Sequence, residues 1–297
     1  MELVLKTELE ARLSLVVNDI DIKEGSGAFL IEGGDYKGKT ILIHYHRPKN
    51  FRKDSKVIFV IPGAGRNGKD YRDAWKEASE KYGLLVLSPE YQERYYPEFW
   101  SYNLAQMIYD VDVSNETFKI NQDPEKWIFE DFDRTFELVK TKLNLTCEHY
   151  DMFGHSAGGQ ILHRLAIFKP ENKADRILAS NAGWYTIPTT KDIFPYGLRN
   201  IRESANRLDF SKELVLFLGE KDDANETRGD LRRSPEVDRQ GIHRLERGIY
   251  FYNESKKIAH ESDLEFNWKL EIVPNIGHDY KEMSKMASEY LYGSKEN

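Results

Sequence analysis

The sequence predicts an α/β fold, in which helices cover both faces of a mostly parallel central sheet of about eight strands that is antiparallel at its N-terminal edge. Short apolar runs of β type alternate with segments of helical periodicity along the 297 residues, which is typical of a parallel sheet covered by helices. The first two runs are joined instead by the turn signal Gly33-Gly34-Asp35, which favours an antiparallel hairpin. No repeat, low-complexity stretch or Pro/Gly-rich linker divides the chain, so residues 1–297 are predicted to form a single domain.

The strands after the opening hairpin are short and strongly apolar, as expected of strands that are buried on both faces of a sheet. The predicted strands cover residues 27–32, 40–46, 57–61, 84–87, 149–153, 177–179, 214–218 and 270–273. The helices are predicted from apolar side chains at helical spacing, such as Phe132, Phe136 and Val139. They cover residues 70–82, 128–143, 157–168, 237–259 and 279–291, and Pro170 ends the third of them.

Two segments do not fit a sheet element. An aromatic stretch without a clear period runs from Tyr91 to Tyr102. Residues 184–208 are predicted to form a small lid or a helical excursion above the sheet.

The composition excludes several functional classes. Lys and Arg number 43 against 50 Asp and Glu, for a net charge of −7, and no dense basic run occurs, so no nucleic-acid partner is expected. Cys147 is the single cysteine, which rules out an internal disulfide and a cysteine metal cluster. The N-terminus lacks the pattern of a signal peptide, and no apolar run reaches the roughly 18 residues of a membrane helix. A cytoplasmic protein without a membrane span is therefore expected.

A nucleophile motif lies between a predicted strand and a predicted helix. It reads Gly154-His155-Ser156-Ala157-Gly158, and a further glycine follows. A serine hydroxyl becomes a good nucleophile when a base takes its proton, so the chain must present it where a histidine and a substrate both reach it. A very tight strand-to-helix turn does this, and glycines remove the side chains that would clash in it. Because the motif has this context, Ser156 is predicted to be a catalytic nucleophile.

His278 is the predicted general base. In the fold that uses this turn, the nucleophile is followed along the chain first by an acidic residue that orients the histidine and then by the histidine itself. Each of the two lies on a loop after a later strand. His278 follows the strand that ends at Val273 and directly precedes a helix, while His243 and His260 lie in or beside a helical pattern typical of surface histidines. Histidine titrates near neutral pH, which suits it to take and return the serine proton.

The predicted acid lies after the strand that covers residues 214–218. That strand ends in Gly219-Glu220-Lys221-Asp222-Asp223. A carboxylate at this end of a strand would hold the imidazole in the required tautomer and stabilise its protonated form. Asp222 is preferred because Gly-x-x-Asp gives the turn enough length to face inward, and Asp223 is the alternative. A metal site is not predicted, since no histidine or cysteine is close in sequence.

A glycine-rich turn follows the strand that ends at Ile61. It reads Pro62-Gly63-Ala64-Gly65-Arg66-Asn67-Gly68. The backbone N–H groups of Ala64 and Ala157 are the predicted donors of an oxyanion hole. The turn also fits the Gly-x-Gly-x-x-Gly pattern of phosphate-binding loops, but Lys69 is followed by Asp70 rather than Ser or Thr. A hydrolase is therefore favoured over a nucleotide-binding protein.

Together these motifs resemble the α/β-hydrolase superfamily, over the chain from about Gly27 to the C-terminus. Several stretches look like the bacterial esterases related to polyhydroxybutyrate depolymerases. They are Arg66-Asn67, Tyr71-Arg72-Asp73-Ala74-Trp75, Ser88-Pro89-Glu90-Tyr91, Gly154-His155-Ser156-Ala157-Gly158-Gly159-Gln160 and Asn181-Ala182-Gly183-Trp184-Tyr185. The resemblance implies that Ser156, Asp222 and His278 form a catalytic triad. One departure is that the oxyanion turn begins with Pro62-Gly63, where these relatives usually have His-Gly.

The predicted activity is hydrolysis of a carboxylic ester through an acyl-enzyme, without a cofactor or a metal and with a small ester or acyl compound as the partner. Four aromatic side chains are expected to line the substrate pocket, namely Tyr91, Trp100, Trp184 and Tyr185. Peptidase, thioesterase and acyltransferase activities use the same residues and remain open. A catalytically inactive binding module is the alternative from another functional class.

Overall fold

An eight-stranded sheet forms the centre of the molecule, in a computed structural model that describes residues 19–33, 38–112, 114–115, 117–201, 208–224 and 231–293. Its strands are β1 (Gly25–Glu32), β2 (Thr40–Arg47), β3 (Val57–Ile61), β4 (Leu85–Glu90), β7 (Tyr150–His155), β8 (Ala174–Ser180), β9 (Glu213–Gly219) and β10 (Lys269–Val273), in the order β1-β2-β4-β3-β7-β8-β9-β10. The other two strands, β5 (Ile108–Asp112) and β6 (Thr117–Ile120), form a separate antiparallel hairpin.

The strand directions confirm the predicted fold class. β1 pairs antiparallel with β2, and β2 pairs antiparallel with β4. All later pairs, from β4–β3 to β9–β10, are parallel. Two residues of the predicted hairpin turn, Gly34 and Asp35, lie outside the described residues. Because parallel strands end at the same edge of a sheet, the loops after β3, β7, β8, β9 and β10 meet there.

Helices cover both faces of this sheet. They are α1 (Gly68–Ala74), α2 (Lys76–Tyr82), α3 (Phe99–Asn103), α4 (Phe129–Leu143), α5 (Ala157–Phe168), α6 (Pro235–Asp238), α7 (Arg244–Glu261) and α8 (Tyr280–Tyr292). None of the helices in the described part of the chain combines the length and the apolar character needed to cross a membrane.

Two helices that the sequence predicts as continuous are interrupted, so those two predictions are wrong in detail. The helix predicted over residues 70–82 breaks at Trp75, a fully buried residue whose ring packs 5.5 Å from that of Phe153. The helix predicted over residues 237–259 breaks at Gly241, which has a φ of 137° that is incompatible with a helix. In the first case tertiary packing of the tryptophan outweighs local helical periodicity.

The core has two layers, one on each face of the sheet. In β3, Val57, Phe59 and Ile61 face the larger layer, and Ile58 and Val60 face the smaller one. Helices α4, α5 and α7 cover the larger layer, and α1 and α8 cover the smaller one. Burial on both faces explains why every residue of this strand is apolar, and it holds the strand ends in fixed positions.

The described residues of the predicted lid, 184–201 and 208, contain no helix. The start of the segment is buried and is tied to α5, where the Arg164 guanidinium donates 2.9 Å to Thr186 Oγ1 and 3.0 Å to the carbonyl of Asn103. Residues 202–207 lie outside the described ranges. A small lid formed by this segment stays a prediction.

Candidate active site

Ser156 occupies the junction between β7 and α5 in a strained backbone conformation. Its φ is 58° and its ψ is −113°, a region that non-glycine residues rarely adopt. The turn is held on both sides, since Ser156 N–H donates 2.9 Å to Ser180 O and Ser156 O accepts from Gln160 N–H at 3.0 Å. Strain at one serine between a buried strand and a helix is the geometry of a nucleophile elbow.

The glycines around Ser156 are required by close approach of neighbouring backbone. A Cβ atom added at Gly158 would lie 2.2 Å from the carbonyl oxygen of Ile61, at the end of β3. One added at Gly159 would lie 2.5 Å from the carbonyl oxygen of Ser180, at the end of β8. The first turn of α5 therefore lies against both flanking strands, which places Ser156 between them.

Asp222 and His278 form a hydrogen-bonded pair on the loops after β9 and β10. His278 Nδ1 lies 2.7 Å from Asp222 Oδ2. The Asp222 side chain is 4% exposed, while that of His278 is 29% exposed. Asp223, the alternative acid, is exposed on the outer side of the loop. A carboxylate accepts this hydrogen bond, so the proton is on Nδ1 and the lone pair of Nε2 remains to act as a base.

Two buried side chains that the sequence analysis did not assign hold the Asp222 carboxylate. Asn181 Nδ2 donates 2.7 Å to Asp222 Oδ2 and 3.2 Å to the carbonyl of Gly277, and Asn181 Oδ1 accepts from Gly219 N–H at 3.0 Å. Arg244 Nη1 lies 3.7 Å from Asp222 Oδ1, and both side chains are almost completely buried. Asn181 thus links the loops after β8, β9 and β10, and Arg244 balances the buried negative charge.

His155, the residue before Ser156, is a buried imidazole beside His278. Its ring centroid is 4.5 Å from that of His278, and its Nδ1 lies 3.5 Å from Tyr71 Oη. Burial lowers the pKa of His155 well below its ordinary value, and the positive charges of His278 and Arg244 act in the same direction. His155 is therefore neutral and adds no positive charge beside His278.

The buried histidines give the protein an acid-sensitive stability. Burial also lowers the pKa of His163 well below its ordinary value, so both rings bind a proton more readily in the unfolded chain. We expect the free energy of unfolding to fall as the pH falls below about 6.5, by up to about 1.4 kcal/mol per pH unit for each ring. Urea unfolding between about pH 7 and about pH 5 measures this slope. His155→Gln should make the free energy of unfolding less dependent on pH, while the same change at the exposed His149 should not. An equal slope in both variants would contradict the proposed contribution of His155.

The turn after β3, which carries one predicted donor of the oxyanion hole, lies close to Ser156. A Cβ atom added at Gly63 would lie 3.5 Å from Ser156 Cβ. The turn is closed by a hydrogen bond of 2.9 Å from Arg66 N–H to Gly63 O, and Ala64 within it is exposed. Ala157, which carries the other predicted donor, is the first residue of α5, where backbone N–H groups lack partners within the helix.

Arg66 and Tyr102 tie this turn to the aromatic segment. The Arg66 guanidinium donates to the carbonyl of Tyr96 and, at 3.0 Å, to that of Glu98. Tyr102 Oη donates 2.7 Å to the carbonyl of Pro62. The aromatic segment, which has no period in the sequence, therefore supports the backbone of the turn. A cavity of about 570 Å³ opens beside it, with Gly65, Arg66, Asn67 and Tyr91 among its lining residues.

The four aromatic residues predicted to line a substrate pocket differ in exposure. Trp100 is partly exposed, while Tyr91, Trp184 and Tyr185 are 0%, 2% and 0% exposed. Tyr185 stacks on Phe251 with ring centroids 4.7 Å apart, as a core residue does. Contact between these rings and a substrate stays a prediction, and for Tyr185 it would require movement of this packing.

The described residues contain no group of three or more His, Cys, Asp or Glu side chains arranged to hold a metal ion.

This fold and this strand-to-helix turn define an α/β hydrolase. Among solved structures, poly(aspartic acid) hydrolase-1 from Sphingomonas sp. KT-1 is 35% identical, with 91% of this chain and 100% of that chain covered and a TM-score of 0.82. LpqC, a poly(3-hydroxybutyrate) depolymerase from Bordetella parapertussis, is 29% identical over 91% of this chain and 90% of that one, with a TM-score of 0.81. Siderophore hydrolase EstB from Aspergillus nidulans shares the fold at 13% identity, covering 94% and 98% of the two chains, with a TM-score of 0.53.

Neither a protein-family model nor a curated protein sequence matches the chain. The similarity to the Sphingomonas enzyme nevertheless extends over almost the whole length of both proteins. The chain belongs to the α/β-hydrolase superfamily, in the same family of hydrolases as that enzyme.

Proposed function

We propose that the chain is a serine hydrolase that cleaves a carboxylic ester through an acyl-enzyme on Ser156. The observation that carries the proposal is the Asp222–His278 hydrogen bond of 2.7 Å at the sheet edge where Ser156 lies in its strained turn. A catalytic triad requires a strained, presented serine and a histidine bound to a carboxylate, and here both lie on loops at the same edge of the sheet.

In this mechanism each of the site residues has a defined role. His278 Nε2 takes the proton from Ser156 Oγ as the oxygen attacks the ester carbonyl, and Asp222 stabilises the resulting imidazolium. The N–H groups of Ala64 and Ala157 donate to the oxyanion, with the positive end of the α5 dipole behind Ala157. The protonated His278 gives its proton to the leaving alcohol, and water activated by the same histidine releases the acid.

The names of the similar proteins indicate two bond types. Poly(3-hydroxybutyrate) is a polyester, and the protein that acts on it is 29% identical to this chain. Poly(aspartic acid) is a polyamide, and its hydrolase is 35% identical, which makes amide hydrolysis a second candidate function. An ester is favoured as the general substrate because its alcohol leaves more readily than an amine. The cavity beside the oxyanion turn is large enough for a small acyl or alcohol group.

A fluorophosphonate probe tests the proposal directly. Ser156 Oγ displaces fluoride from phosphorus, so we expect rapid addition of one probe molecule, seen as a single mass increase of the intact protein. Ser156→Ala should not be labelled in the time that labels the original protein completely, and His278→Ala should be labelled far more slowly. Ser211→Ala is the control, because Ser211 is exposed and its hydroxyl bonds to no histidine within the described residues.

Two results would overturn the proposal. One is the absence of labelling in protein whose circular dichroism shows a folded structure, which would favour a binding module. The other is rapid labelling that persists in Ser156→Ala. With labelling established, the release of nitrophenol from nitrophenyl esters and of nitroaniline from matched anilides compares the two bond types.

A further inference from the structure

A second chain of serine, histidine and carboxylate lies outside the elbow, on the edge of the sheet that β1 forms. Ser26 and His46 are directly opposite each other in the antiparallel β1–β2 pair. Ser26 Oγ lies 2.7 Å from His46 Nδ1, and His46 Nε2 lies 2.9 Å from Glu80 Oε1 on α2. These three residues, here called the edge relay, have no part in the mechanism proposed for Ser156.

The carboxylate fixes the direction of the hydrogen bonds in the edge relay. Glu80 Oε2 also accepts from Lys49 N–H at 3.2 Å, so both oxygens of the side chain are held. The hydrogen bond from His46 lowers the pKa of the Glu80 carboxyl, and the Lys49 N–H acts in the same direction, so the group is an anion that only accepts. His46 therefore carries its proton on Nε2, and its Nδ1 lone pair accepts the Ser26 hydroxyl proton.

The hydroxyl is open to reagents, while the histidine is not. Ser26 is exposed on the outermost strand of the sheet, whereas His46 is 7% exposed. An external molecule therefore reaches the oxygen of Ser26 before it reaches His46, and His46 is already hydrogen-bonded to that oxygen as a base.

We propose that Ser26 is a second activated hydroxyl of this protein and a site of covalent acylation by activated esters and related acyl donors. Ser26 Oγ forms a bond to the acyl carbon as its proton passes to His46 Nδ1. The bond between the acyl carbon and the leaving oxygen then breaks, and the leaving group takes up the proton. Nothing else is consumed, and the product is an ester on Ser26.

The surroundings of Ser26 also predict how the acylated form behaves. Ser26 lies within a regular strand pair, so no helix begins at the next residue, and within the described residues no helical N-terminus directs N–H groups at an oxyanion there. Acylation should be slower than at Ser156, and the ester should persist instead of being turned over.

The test uses the Ser156→Ala protein and p-nitrophenyl acetate, so that its result does not depend on the elbow. We expect one acetyl group on Ser26, located by peptide mapping and removed by hydroxylamine, which distinguishes it from acetyl-lysine. His46→Gln and Glu80→Gln should each slow the modification by about tenfold or more, because general-base assistance is lost. Two variants are used so that one remains informative if the other fails to fold. Ser26→Ala should abolish the modification.

Ser211 and Ser262 provide the internal comparison, since both are exposed and neither hydroxyl bonds to a histidine within the described residues. Faster acetylation of Ser26 than of these two serines supports an activated hydroxyl. Equal acetylation of all three, no ester on Ser26, or a rate that neither His46→Gln nor Glu80→Gln changes would overturn the proposal.

Discussion

Replacing Asp222 by Asn is expected to lower kcat by about four orders of magnitude, while the same replacement at Asp223 leaves it nearly unchanged. The Asp222 carboxylate accepts the proton of His278 Nδ1 at 2.7 Å and also accepts from Asn181 Nδ2. Both of these bonds end on Oδ2, while Oδ1 lies 3.7 Å from Arg244 Nη1. An amide at position 222 has a single oxygen, and the buried guanidinium of Arg244 would hold that oxygen on its own side, so the NH₂ group would face the imidazole. His278 would then carry its proton on Nε2, the nitrogen that has to accept the proton of Ser156.

Asp223→Asn is a matched control, because it makes the same chemical change in the adjacent, exposed residue. Initial rates at saturating p-nitrophenyl butyrate measure kcat for both variants, and circular dichroism establishes that both fold. If Asp223→Asn loses activity and Asp222→Asn retains it, Asp223 is the acid and the proposed triad is wrong. If both retain activity, the histidine needs no carboxylate and the proposed mechanism fails.

The residues of the candidate site whose placement could be predicted are those that follow a strand directly. Ser156, Asp222 and His278 each come within a few residues of the end of a parallel strand, and such ends meet at one edge of a sheet. The apolar runs that form those strands are visible in the sequence because burial on both faces leaves no polar positions. Local pattern and sheet geometry together were therefore sufficient to predict that these three residues lie at the same edge of the sheet.

The residues that hold the acid could not be predicted in the same way. Asn181 contacts groups 38, 41 and 96 positions away along the chain, and its role exists only once three loops have come together. Its one local signal is a φ of 49°, which asparagine tolerates and which a sequence does not display. Arg244 begins a helix and resembles any other charged surface residue until the fold buries it beside Asp222.

Whether the aromatic residues line a pocket or pack in the core could not be predicted from the sequence, for a different reason. A tyrosine or tryptophan has both an apolar ring and a polar group, so it suits a ligand pocket and a protein core equally well. The sequence does not show that the ring of Phe251 stacks on Tyr185, or that Tyr91 donates to the buried Asp131 at 3.1 Å. The small hairpin β5–β6 was missed because its strands are mostly exposed and carry no apolar run.

Gly158→Ala is expected to destabilise the protein by about 3 kcal/mol or more and to remove its hydrolytic activity. The added methyl group would lie 2.2 Å from the carbonyl oxygen of Ile61, well inside the van der Waals contact distance. That oxygen belongs to β3, which pairs with β4 and β7 in the middle of the sheet, so α5 has to move away instead. Such a movement carries Ala157 N–H and Ser156 away from the oxyanion turn. Thermal unfolding measures the first effect, as a fall in Tm of roughly 5 °C for a chain of this size.

Gly65→Ala is the comparison that separates a steric conflict from a general loss of glycine. A Cβ atom at Gly65 would have its nearest contact at 3.3 Å with a side-chain oxygen, Asn67 Oδ1, which is able to rotate away. We therefore expect the Tm of this variant to stay close to that of the original protein. No expectation is attached to the activity of the variant, because the turn borders the proposed oxyanion hole. Equal falls in Tm for the two variants would show that the contact with Ile61 is not what excludes a side chain at position 158. Unchanged hydrolysis by Gly158→Ala would mean that the position of the elbow against β3 does not control the nucleophile.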